Sequence, residues 1–177
     1  KYIVAITEHD SKLGEYTSAK DITTLECVVG GRYSVLSAVG LFPLAMLDID
    51  IKQLCAGAKD ILEKSLSDNV EENYSAISAA ILFLLYQKGF DIHNMFVFAH
   101  DLFSLGQWYR QLVGESLGKE TDLDGKQVNV GTLPVVSVGT VDLHSVFQCY
   151  MAANHNKFTT FVSADKFKSD PIVSSCH

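Results

Sequence analysis

Four short apolar runs, "YIVAIT" (2–7), "MFVFA" (95–99), "LPVVSV" (133–138) and "FTTFVSA" (158–164), punctuate the chain, and helical patterns lie between them. Near-continuous runs of this length, rich in Val, Ile and Phe, are typical of strands buried on both faces. "DITTLEC" (21–27) reads as a shorter strand. Apolar spacing predicts helices over about 36–47, 51–65, 71–88, 102–118 and 143–154, and "KETDLDGKQVNVG" (119–131) reads as a long loop or hairpin. Parallel strands need crossovers, which helices supply. The alternation therefore predicts an α/β fold, a doubly wound parallel sheet flanked by helices. In such sheets ligands gather where strands give way to helices, so chemistry-bearing residues at those ends carry the most weight.

The 177 residues suit one domain, 1–177, with a substantial core. A hydrophobic share of 47% with 20% charged residues fits a globular protein. A net charge of −7 offers no field for nucleic acid or an anionic membrane, although one local arginine suffices for an anionic metabolite. The longest apolar run, "AAILFLLY" (79–86), is too short to cross a bilayer, and no signal segment opens the chain. Cys27, Cys55, Cys149 and Cys176 form no CxxC pair and read as buried thiols of a reducing compartment, so a cytoplasmic location is expected. The chain begins without methionine, inside a strand-like run, as a domain cut from a longer protein would.

Three stretches carry chemistry. In "VVGGRYSVLSAVGL" (28–41) two glycines permit a tight turn that presents Arg32 just before a helix, which Ser34 or Ser37 is placed to cap. This is either an anion site or a turn with a surface arginine. GxGxxG and GKS/T fingerprints are absent. In "QLVGESLGK" (111–119), Leu105, Trp108, Tyr109 and Leu112 mark the apolar face of a helix that Gly118 is expected to cap. Glu115 falls beside Trp108 in the last turn, where the helix dipole and poor solvation both favour a protonated carboxyl. It is either a helix-end acid paired with Lys119 or a carboxylate tuned to exchange protons with carbon. In "VGTVDLHSVFQ" (138–148), Asp142 is the expected N-cap, and Leu143, Val146, Phe147 and Tyr150 form the expected buried stripe. His144 shares another face with Gln148. The six histidines show no metal-binding spacing, so no metal site is expected.

In this order, "GGRYSVLSAVGL", "QLVGESLGK" and "GTVDLHSVFQ" resemble the arginine, base-bearing and histidine segments of the phosphoglucose isomerase family, and "IDIKQLCAGAKD" (49–60) is similar to the stretch after the first. "DLHS" looks more like bacterial members than animal ones. The resemblance implies the second sugar-isomerase (SIS) domain of a two-domain enzyme, a flavodoxin-like three-layer sandwich interconverting glucose 6-phosphate and fructose 6-phosphate without a cofactor. It implies that Glu115 carries a proton between sugar C1 and C2, Arg32 stabilises the enediolate, and His144 assists ring opening. It implies Gly31, Ser34, Arg32 and Gln111 as substrate-binding residues. The implied partners are a sugar phosphate, the first sugar-isomerase domain, and a second copy in a homodimer whose neighbouring site His144 completes. No stretch is similar to the family's serine/threonine-rich phosphate loop or to its C-terminal lysine segment. A non-catalytic sugar-phosphate-binding module and a dual phosphoglucose/phosphomannose isomerase are the competing readings. Arg32, Glu115 and His144 are expected on the carboxyl edge of one sheet, with Arg32 and Glu115 bordering one pocket.

Overall fold

The computed structural model describes residues 4–8, 11–16, 21–25 and 29–165. The chain divides into two compact units, Lys1–Ala79 and Ala80–His177.

In the first unit β1 (Val4–Glu8) pairs in parallel with β2 (Asp21–Leu25), in register from Val4↔Asp21 to Glu8↔Leu25, with α1 (Lys12–Tyr16) in the crossover. A 3-10 helix, Gly31–Leu36, leads into α2 (Ala38–Met46) and then α3 (Ile51–Ser65). Each α-helix starts on an oxygen that satisfies otherwise orphaned amides. Ser37 accepts from the Val39 N–H at 3.3 Å, and one Asp50 oxygen accepts from Lys52 and Gln53, both at 3.0 Å. Of the two candidate caps, Ser37 takes the role. α4 (Tyr74–Gln87) contains the boundary between the units.

The second unit continues with β3 (Ile92–Val97), α5 (Phe103–Leu117), β4 (Lys119–Thr121), β5 (Gln127–Val130), β6 (Leu133–Val138), α6 (Phe147–Ala152) and β7 (Lys157–Val162). β4 and β5 form an antiparallel hairpin, turned at Gly125 with φ 80°. The other three strands form a parallel sheet in the order β6-β3-β7. β3 is central, so its residues are buried on both faces: Asn94 and Val97 are fully buried, and His93 and Phe96 nearly so. His93, Met95 and Val97 face α5. There Gly106 lies so close that an added Cβ would come within 2.6 Å of Val136 Cγ1. Asn94 and Phe96 share the opposite face with Ser137, which holds the α6 side chain Tyr150 through a 2.8 Å hydroxyl–hydroxyl hydrogen bond. One helix on each face of a parallel sheet is the doubly wound arrangement that the sequence predicts.

Several expectations need correction. β3 starts at Ile92, three residues before the predicted run, because His93 and Asn94 are polar yet buried in the strand. The helix expected over 143–154 is only Phe147–Ala152, because residues 140–146 are held as turns. Its stripe is not buried either: Leu143, Val146 and Phe147 are each exposed by more than a third, and only Tyr150 is engaged. On α5, Leu105 is exposed while Gly106 is buried, which turns the packed face by one residue. Cys55 and Cys149 are exposed, not buried. Cys27, Cys176 and the ends of the runs 2–7 and 21–27 lie outside the described residues.

Candidate active site

Arg32 sits in the first turn of the 3-10 helix after β2, on the carboxyl side of that strand. Its guanidinium lies over the Tyr33 ring, 5.0 Å from the centroid, a cation–π contact that orients the planar donor fork. The turn is tied internally: the Ser34 hydroxyl, buried, donates to the Gly31 carbonyl at 2.6 Å, and the Ser37 hydroxyl donates to the Ser34 carbonyl at 2.7 Å. Gly31 itself is exposed, with nothing near where a Cβ would stand.

Glu115 lies in the last turn of α5, and Gly118 is the C-cap as expected, although with extended backbone angles instead of a left-handed one. Its carboxylate accepts from the Gln111 side-chain amide at 3.1 Å, one helical turn back. Both residues are exposed, which corrects the expectation of a poorly solvated acid: α5 turns this face outward while Tyr109 faces the sheet. The helix end abuts the segment that enters β6. Gly131, with φ 149°, runs so near that a Cβ would come within 3.0 Å of Gly118 Cα, and Gly114 faces Pro134 at 3.8 Å.

His144 is also exposed, in the turn that leaves β6. Glu115 and His144 therefore occupy opposite edges of the same sheet. The expectation that both stand on the carboxyl edge fails for Glu115, because a crossover helix runs antiparallel to its strands and delivers its C-terminal turn to the next strand's start. The six residues of β6 lie between them, roughly 20 Å at the usual strand rise. One chain does not bring these two side chains onto one small molecule.

Two further groups escape the sequence reading. Asp142 caps no helix; its Oδ2 accepts from the Val138 N–H at 2.6 Å and its Oδ1 from the Ser145 hydroxyl at 2.8 Å. His93 on β3 is bonded at both ring nitrogens, Nδ1 to the Tyr109 hydroxyl at 2.5 Å and Nε2 to the Thr160 hydroxyl at 2.9 Å, and it stacks on Phe158. Burial pushes its pKa down to about 4 and that of Tyr109 up to about 12, so both are neutral near pH 7 and serve to fasten α5 to the sheet. The signal in the sequence was a histidine just ahead of an apolar run. Among the described residues no three His, Cys, Asp or Glu side chains gather as a metal site, and no helix is long and apolar enough to cross a membrane.

The chain is similar to known proteins over most of its length. Residues 1–169 match the family model described as phosphoglucose isomerase. A glucose-6-phosphate isomerase of Carboxydothermus hydrogenoformans is 37% identical over 145 residues, 82% of this chain and 31% of its own length. A probable glucose-6-phosphate isomerase of Methanococcus maripaludis is 36% identical over 96% of this chain and 37% of its own. Among solved structures, a hypothetical protein of Thermus thermophilus superposes with TM-score 0.81 at 31% identity, over 89% of this chain and 37% of that one. A glucose-6-phosphate isomerase of Chlamydia trachomatis gives 0.73 at 25% identity, over 83% and 29%. The chain spans about a third of the length of the relatives it matches.

Proposed function

The chain belongs to the phosphoglucose isomerase family, and from that premise we propose that it is the second sugar-isomerase domain of a cytoplasmic two-domain enzyme interconverting glucose 6-phosphate and fructose 6-phosphate. Glu115 is the base. Its carboxylate removes the proton from C2 of the open-chain aldose, the electron pair moves into the C1–C2 bond, and the carbonyl oxygen becomes an oxyanion. The carboxyl group then returns the proton to C1 while the hydroxyl proton passes from O2 to O1. Composition is unchanged and no redox partner is needed. Gln111 holds the carboxylate one turn away. Arg32, with its planar guanidinium fork, stabilises the oxyanion, and Gly31 and Ser34 shape the turn that offers it.

The observation that carries this reading is the separation of Glu115 from His144 along β6. An enzyme that needs both on one sugar must draw them from two copies, which supports a homodimer whose neighbouring site is completed by His144. The phosphate is held by the first sugar-isomerase domain. A coupled assay with fructose 6-phosphate tests the proposal. The full-length enzyme should turn over, whereas this chain alone should fold and show little or no activity, since the remote phosphate no longer positions the sugar. Robust turnover by the isolated chain would refute the division of labour; a full-length protein inert toward fructose 6-phosphate would refute the activity.

A further inference from the structure

We propose that Asp142 is the positioning residue for His144. The inference rests on the role given to His144 above. Among the described residues β6 pairs with β3 alone. Backbone amides alternate along a strand. The Gly139 N–H points inward to the Val97 carbonyl at 2.8 Å, so the Val138 N–H points away from β3. Asp142 Oδ2 accepts from that N–H at 2.6 Å, while the Asp142 N–H returns a 2.9 Å bond to the Val138 carbonyl. This reciprocal pair seals the end of the strand.

The same side chain reaches forward as well. Its second oxygen accepts from the Ser145 hydroxyl at 2.8 Å, one residue past His144. The Asp142 carbonyl accepts from the Val146 and Phe147 amides at 3.2 and 3.1 Å, and the His144 N–H donates to the Val141 carbonyl at 3.1 Å. His144 is therefore bracketed on both sides by groups anchored to one carboxylate, itself anchored to the strand. Gly139 completes the pinning, because the Phe98 ring occupies the place a side chain would take, 2.6 Å from an ideal Cβ. His144 is exposed on a turn tied by these bonds, as a group that reaches a second copy's substrate must be.

Asparagine at 142 keeps the shape but offers one acceptor where aspartate offers two, so one of the two clips is lost. A double-mutant cycle in the full-length enzyme separates positioning from mere folding. Asp142→Asn should lower kcat for fructose 6-phosphate by about ten- to a hundredfold with KM nearly unchanged, as a small misplacement of a reacting group does. In a His144→Gln background the same change should cost less than about twofold, since the group it positions has gone. Ser145→Ala, which removes only the forward clip, should show a smaller loss that likewise vanishes in that background, and it decides the matter if Asp142→Asn does not fold. Additive losses, with His144→Gln itself costly, overturn the role of Asp142 and leave that of His144 standing. A harmless His144→Gln overturns both.

Discussion

The two exposed groups of the second unit, Glu115 and His144, stand at opposite edges of one sheet and are held in opposite ways. Glu115 rides a regular fifteen-residue helix and accepts a hydrogen bond from Gln111 on that same helix. That helix is anchored further back, through Tyr109 on His93 and Gly106 on Val136. His144 sits in an irregular turn whose shape is dictated bond by bond, by Asp142, Val138 and Ser145. The lesson is that a helix end can be aimed by packing far from it, whereas a turn has to be tied where it stands. The first should tolerate local change; the second should not.

The largest effect expected is on chemistry. In the full-length enzyme Glu115→Gln should lower kcat by about 10²–10⁴-fold in the coupled assay, the range for loss of a general base, with an unchanged circular dichroism spectrum. Near-normal turnover would show Glu115 to be an ordinary helix-end acid.

Next comes the remote anchor. His93 has a pKa of about 4 in the fold against 6.5 when unfolded, so between those values the unfolded chain binds the extra proton. The contribution of His93 to stability is thus intact above about pH 6.5 and is lost progressively as pH falls toward 4, by up to about 3 kcal/mol. Denaturant titrations from pH 7 to pH 4 should show that slope, and His93→Gln should flatten it. An equal slope in the variant would remove His93 from the account.

Smaller, and opposite in sign, are two glycine changes. Gly139→Ala in the tied turn drives a methyl group into the Phe98 ring and should cost about 1–3 kcal/mol. Gly114→Ala in the base-bearing helix meets only Pro134 at 3.8 Å and should stabilise by about 0.5–1 kcal/mol through helix propensity. Thermal melts of the two variants read both, and shifts of the same sign would erase the contrast between turn and helix.

How legible this was in the sequence follows the same divide. "LPVVSV" matches β6 to the residue, and 51–65 matches α3, because an apolar strand and a capped amphipathic helix declare themselves in local pattern. His93 and Asn94 hid the start of β3, since their polarity is compensated by contacts that exist only once the sheet forms. Asp142 carries the residue type of an N-cap, but the Val138 amide at the end of β6 competed for its carboxylate and won. Spacing placed Glu115 on the right helix and in its last turn, yet exposure and sheet edge depend on which way the crossover runs. The roles of Arg32, Glu115 and His144 came from resemblance, not from periodicity.

The central claim is that one active site takes Glu115 from one copy and His144 from another. Full-length Glu115→Gln and His144→Gln enzymes, each nearly inactive alone, can be unfolded together, refolded as a mixture and assayed with fructose 6-phosphate. If the two residues of a site come from different copies, each mixed dimer has one site with both residues intact, and random pairing should restore about a quarter of wild-type turnover. If they come from the same copy, every site keeps one defect. A mixture no more active than its components would contradict the account.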